Sequence, residues 1–226
     1  MVGVARTYDD PCGLARALSL VGERWAMLVI RELLLGPKRF SQLRKGLPGA
    51  SQSMLTGRLV ELEEHGLLRR RYLGPPANAW VYELTDQARE LEPAVVALAR
   101  WGSRTPRPTG SAELSVDALA LAMRTTFDHA AAGALRTRFG LVLDGDELSV
   151  AIEDGAITIA RGPAAAPEVT FETTAATWRE LIFAGGSLSA AERSDRIAVR
   201  GNRALAGRLV ALFPRPEPYG TAAATS

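Results

Sequence analysis

Between Phe40 and Leu84 the chain reads as two short helices followed at once by a hairpin, an order that few folds accommodate in so little sequence. Phe40–Leu47 has helical spacing and is stopped by Pro48-Gly49, since proline brings no N–H and glycine leaves the helical well easily. Ser51 then offers an oxygen to cap a second helix, which runs to His65 and ends at Gly66. Its Leu55, Leu59 and Leu62 share one face and should pack inward, leaving Ser53, Thr56, Gly57, Val60 and Glu64 nearest the opposite face. Leu67–Leu73 alternates as a strand, the stretch from Gly74 through Pro75 and Pro76 to Asn78 reads as a turn, and Trp80–Leu84 returns.

Helices flank this unit. Cys12–Leu20 is a short amphipathic segment, and Arg24–Leu35 carries Trp25, Leu28, Val29 and Leu33 at helical spacing before Gly36-Pro37 stops it. Thr85 or Asp86 caps a last helix through Trp101, long and apolar enough to form a dimer face. A short helix, a tight turn and a second helix with a polar first half form a helix-turn-helix, and the hairpin makes a wing. A helix fits the DNA major groove, where small polar side chains of its first turns reach base edges. Gln52 and Ser53 are the candidate base contacts, and Thr56 reaches a base or a phosphate. Arg69, Arg70 and Arg71 lie on the wing, where roughly every second one must face solvent and can meet phosphate. Lys38, Arg39, Ser51, Arg58 and Asn78 complete the candidate DNA-contacting set. Taken singly, each feature has a plainer reading: a packed surface helix, a solvated strand edge. Their order is what favours DNA.

The same residues resemble the HxlR-type regulators, relatives of the MarR group. The resemblance rests on Cys12, Glu23-Arg24-Trp25, Ile30–Leu33, Gly36, Arg39-Phe40, Leu43, Ser51, Met54–Thr56, Arg58-Leu59, Leu62-Glu63, Gly66-Leu67, Tyr82 and Leu84-Thr85, and spans residues 8–103. It implies a homodimer of winged-helix subunits built through the first and last helices, binding a roughly palindromic operator, with repression as the default. Two departures stand out. The returning strand reads Trp80-Val81-Tyr82 where the family usually has an acidic residue before the tyrosine, and Gly57 sits inside the recognition helix at a cost of about 1 kcal/mol. Close approach to a DNA backbone and neutral drift both account for Gly57. Several members use a cysteine near this position as a redox or electrophile sensor, which the resemblance extends to Cys12. From the residues alone, with Arg16 one turn on but Asp9 and Asp10 opposing it, the simpler expectation is a small buried hydrophobe.

Charge separates the two parts of the chain. Residues 1–104 carry 15 basic against 11 acidic side chains and the remainder 12 against 14, so only the first part suits a polyanion. A Pro- and Ser-rich stretch supplies a linker at 105–112, which bounds domains at 1–104 and 113–216 and leaves a disordered tail at 217–226. No apolar run reaches the roughly 18 residues of a membrane span, and the acidic start argues against a secretory signal. A single cysteine fits a reducing cytoplasm, and His65 and His129 are too scattered to form a metal site with it. No cofactor is expected.

After the linker, Leu114 to Arg136 has the pattern of a long helix. Phe139–Leu143 and Leu148–Ile152 alternate around Asp144-Gly145-Asp146, a hairpin signal. Further strands at Ile157–Ala160, Val169–Glu172 and Ile197–Arg200, with helices at Thr177–Phe183 and Asn202–Phe213, give an α+β arrangement with helices over one sheet face. This order resembles the sterol-carrier-protein type 2 fold over about residues 115–213. The resemblance rests on Gly145, Asp154-Gly155, the Pro167–Phe171 strand, Trp178 with Leu181, Gly185, and Val199–Asn202. It implies an apolar tunnel for lipids or other hydrophobic molecules, with Met123, Phe127, Phe139, Trp178, Ile182 and Phe213 as candidate lining residues, although plain core suits each of them too. The whole chain is therefore expected to be α+β, a winged helix-turn-helix followed by a sterol-carrier-like domain. Neither half has a phosphate loop, a metal signature or a G-x-S-x-G nucleophile motif, so no enzyme is expected. A hydrophobic-ligand carrier with a vestigial DNA-binding domain, and a redox-switched regulator with an inert second domain, remain open.

Overall fold

The computed structural model describes residues 8–106 and 113–219. Residues 107–112 of the expected linker and 220–226 of the expected tail lie outside the described residues. The chain divides into two compact units, Met1–Val95 and Val96–Ser226.

In the first unit, α1 (Gly13–Val21), α2 (Ala26–Leu33), α3 (Phe40–Gly46) and α4 (Gln52–Glu64) precede the hairpin of β1 (Leu68–Leu73) and β2 (Ala79–Leu84). Then come α5 (Asp86–Arg89) and α6 (Glu92–Gly102), within which the division between units falls. Helix α2 begins two residues later than its spacing suggests because Trp25 takes a left-handed φ of 77° that no helix accepts. The long helix expected after Thr85 is broken between α5 and α6. Pro93 lacks the N–H that would continue the ladder, and its ring displaces the carbonyl four residues back. Ser51 caps α4 by accepting the Met54 N–H at 3.3 Å, and Leu55, Leu59 and Leu62 are buried as their spacing requires. They pack in a core with Val29, Ile30, Leu33, Leu43 and Leu84. Strands β1 and β2 pair antiparallel from Leu68↔Leu84 to Leu73↔Ala79, and Lys38 adds a one-residue bridge to Tyr82. The unit is a winged helix-turn-helix.

The second unit opens with α7 (Val116–Thr126) and α8 (His129–Ala132), followed by β3 (Thr137–Leu143), β4 (Asp146–Glu153), β5 (Ala156–Arg161) and β6 (Val169–Thr173). Helices α9 (Ala175–Phe183) and α10 (Leu188–Arg193), strand β7 (Ile197–Gly201) and α11 (Arg203–Val210) complete it. The long helix expected from Leu114 to Arg136 is two helices. Phe127 turns to ψ 126°, and Asp128 starts α8 afresh by accepting the Ala131 N–H. The short α10 follows Gly185-Gly186 unforeseen, nucleated by Ser187, whose hydroxyl accepts the Ala190 N–H. The sheet order is β5-β4-β3-β6-β7, with β3 and β6 parallel and the other neighbours antiparallel. Asp144 and Gly145 both take positive φ, which the tight β3–β4 turn demands. Alternate residues of β3 (Phe139, Leu141, Leu143), with Leu148, Val150, Val169 and Phe171 beside them in register, are buried. Helices pack on that face, whereas Arg138, Glu172 and Arg200 are exposed.

Candidate nucleic-acid interface

On α4 the residues opposite the buried leucines are open to solvent. Gln52, Ser53, Thr56, Gly57, Val60 and Glu64 are all exposed. Thr56 Oγ1 donates back to the Gln52 carbonyl at 2.9 Å, which fixes the hydroxyl against the helix, and Ser51 and Ser53 hydroxyls lie 3.2 Å apart. Arg44 of α3 donates to Gln52 Oε1 at 3.3 Å, so the preceding helix orients the first polar side chain of α4. Nothing lies within 4 Å of where a Gly57 side chain would begin. The result is a helix whose first two turns present small hydrogen-bonding groups and little bulk, the shape a major groove accepts.

Two expected DNA contacts turn inward instead. Lys38 is buried and its Nζ lies 2.7 Å from Glu32 Oε2, while Arg31 Nη2 lies 2.7 Å from Glu32 Oε1. A fully buried carboxylate needs such partners, because an uncompensated charge there costs several kcal/mol. Arg58 is also buried, its guanidinium hydrogen-bonded to Glu61 and 3.8 Å from Glu23. Both arginine and lysine looked like surface charges because sequence alone does not show which acid each will meet. Arg39 is exposed and donates to the Ala77 carbonyl at 3.0 Å, tying α3 to the wing turn, and Asn78 is exposed near Tyr72 Oη.

The wing arginines divide by strand alternation. Arg69 Nε lies 2.6 Å from Glu83 Oε1, and Arg71 Nε and Nη2 lie 3.0 and 2.8 Å from Glu83 Oε2. Hydrogen bonds from Arg71 lead in holding the Glu83 carboxyl below the usual range, against its burial and with help from Arg69, while Glu83 in turn raises Arg71. Arg70 sits on the other face, its guanidinium carbon 4.9 Å from the Trp80 ring centre and 6.0 Å from that of Tyr82. Tyr72 and Trp80 continue that face with ring centres 5.3 Å apart, both about half exposed. Sequence reasoning missed Glu83, Trp80 and Tyr82 as shapers of the wing. The signal was available in the strand register, which sets Arg69 opposite Glu83 and Arg70 opposite Tyr82.

Cys12 is exposed, not buried. Its Sγ caps α1 by accepting the Ala15 N–H at 3.3 Å, and its own N–H donates to Asp10 at 2.9 Å. The expected lining residues of the second unit are all buried. Trp178 Nε1 donates to Met123 Sδ at 3.3 Å, Phe171 meets Phe139 edge-to-face and Trp178 at a tilt, and Phe127 meets Phe213 at 6.0 Å. A groove of about 480 Å³ opens beside α9 and α11, and only Ile182 and Phe213 of the six line it. Met123, Phe127, Phe139 and Trp178 are instead core, filling one another's contacts. Among the described residues no three His, Cys, Asp or Glu side chains gather to hold a metal ion, and no helix is long and apolar enough to cross a membrane.

Residues 20–109 match the HxlR-like helix-turn-helix family. An uncharacterized HTH-type transcriptional regulator of Mycobacterium tuberculosis (strain ATCC 25618 / H37Rv) is 42% identical over 98 residues, which are 43% of this chain and 61% of that relative. The HTH-type transcriptional regulator YodB of Bacillus subtilis (strain 168) is 35% identical over 92 residues, 41% of this chain and 82% of YodB. Among solved structures, the redox regulator HypR in its oxidized form is 31% identical with a TM-score of 0.40, over 43% of this chain and 100% of that one. The matched stretch contains α2, α3, α4, the wing and α6, and the chain belongs to the HxlR-like helix-turn-helix family.

Proposed function

We propose that this chain is a cytoplasmic DNA-binding transcriptional regulator that acts by binding rather than catalysis, represses as a homodimer on a roughly palindromic operator, and responds to a small hydrophobic molecule in its second unit. The observation that carries the DNA-binding reading is α4, with its leucines buried on one side and Gln52, Ser53 and Thr56 exposed on the other. Large apolar side chains left in solvent on α1 (Leu14, Leu18) and on α6 (Leu98, Trp101) support the dimer, since a subunit contact on either helix would take them out of water. The one-sided α+β sheet supports a sterol-carrier-like second unit, and the α9–α11 groove, not the packed core, is where its ligand would lie. A ligand acts on DNA affinity only by binding one arrangement of the protein better than another.

The test is selection of bound duplexes from a random pool, followed by footprinting. Two protected half-sites about one helical turn apart are expected. A pool that stays random after repeated selection sinks the regulator reading and favours a hydrophobic-ligand carrier. A second reading, redox switching through Cys12, is favoured by the exposure of that residue at the start of α1.

A further inference from the structure

We propose that Arg70, carried on the aromatic face of the wing by Trp80 and Tyr82, makes the wing's phosphate contact, and that Glu83 withholds Arg69 and Arg71 from that role. This rests on the reading that the first unit binds double-stranded DNA. The sequence shows three adjacent arginines of equal standing, and the strand pairing makes them unequal. Arg71 spends two guanidinium nitrogens on Glu83 and Arg69 spends its Nε, so their charges are partly compensated before any DNA arrives. The Arg70 guanidinium makes no hydrogen bond or ion pair among the described residues and is held only by ring faces. A guanidinium held over a ring face spends none of its N–H donors on a hydrogen-bond acceptor, so a phosphate can take two of them at once. Stacking also holds the long side chain in place, so less rotamer freedom is lost on contact. Trp80 and Tyr82 are positioning residues here, and the charge is the occupant's complement: a polyanion suits this face, whereas an apolar partner would strand the guanidinium.

Binding of the full-length protein to a labelled DNA duplex of mixed sequence, titrated between about 50 and 200 mM salt, tests the assignment because each phosphate contact contributes about 0.9 to the slope of log affinity against log salt. Arg70→Ala should flatten the slope by about one contact, and Arg70→Lys should restore most of it. Arg69→Ala and Arg71→Ala should each change it by less than half as much, and Glu83→Gln should steepen it by freeing both. Trp80→Ala should flatten it partly, and the Trp80→Ala/Arg70→Ala double variant should match Arg70→Ala alone, as coupled residues do. An unchanged slope in Arg70→Ala beside a flattened one in Arg71→Ala or Arg69→Ala overturns the assignment while leaving DNA binding intact. A changed number of subunits in the assembly of Arg70→Ala or Trp80→Ala, with an unchanged slope, also overturns it, and makes the face a protein contact. A parent protein that fails to bind the duplex at all removes the reading underneath.

Discussion

Gly46, at the end of α3, lies against the buried carboxylate of Glu32 so closely that a methyl group there would overlap Oε2. The absence of a side chain at one position is therefore what lets the charged group of another sit inside the first unit, with Lys38 and Arg31 on its two oxygens. Gly46→Ala should destabilise the protein by about 1–3 kcal/mol, the usual cost of overpacking a tight site. Chemical denaturation measures it, and a midpoint equal to the parent's would mean that Glu32 can move aside freely.

The two faces of α4 should separate stability from recognition. Leu59→Ala removes a buried side chain and should cost about 2–5 kcal/mol. Ser53→Ala, on the exposed face, should leave unfolding within about 0.5 kcal/mol of the parent while relaxing discrimination among duplexes selected by the parent. Loss of stability in Ser53→Ala, with discrimination kept, would place that residue in the fold and not in the interface.

The Glu83 carboxyl titrates below the ordinary carboxylate range, led by its hydrogen bonds from Arg71. A group depressed in the folded state stabilises above its unfolded value, about 4.3 for glutamate, and loses that contribution as pH falls through the folded value. The parent should therefore lose more stability than Glu83→Gln on acidification below about pH 4.3, having been the more stable at neutral pH. Urea midpoints at both pH values decide it. Parallel losses in the two proteins would show that the pair with Arg69 and Arg71 contributes nothing to folding.

Cys12 should be the reactive position of the chain. The exposure of Cys12 predicts complete labelling by a maleimide in the native protein without denaturant. Serine is a good helix cap, so Cys12→Ser should fold at least as stably as the parent. If the redox reading holds, a thiol oxidant lowers the DNA affinity of the parent and leaves Cys12→Ser unaffected; equal responses would end it.

Gly207 lines the groove beside α11, and nothing lies within 4 Å of where its side chain would begin. Gly207→Leu should project into that space, keep or raise helix stability by up to about 1 kcal/mol, and reduce uptake of an apolar fluorescent dye. Undiminished uptake in a stably folded variant would move the ligand site elsewhere.

Much of the fold is legible in the sequence because short-range chemistry decides it. Ser51 and Gly66 bound α4 through a cap and a left-handed stop, the leucine spacing orients it, and alternation around Asp144-Gly145 marks the β3–β4 hairpin. Helix breaks were harder to place, since Pro93 and Asp128 compete with good helical spacing on both sides. Which charges stay on the surface was decided only in three dimensions. Lys38 and Arg58 went inward because Glu32, Glu23 and Glu61 were brought to them, and Arg69 was parted from Arg70 by the pleat of a strand. Phe127, Phe139, Phe171 and Trp178 of the second unit filled its core and left the open space beside α9 and α11. Periodicity along a chain sets which residues share a face, but a charge or a cavity depends on what arrives opposite, and only packing brings that partner.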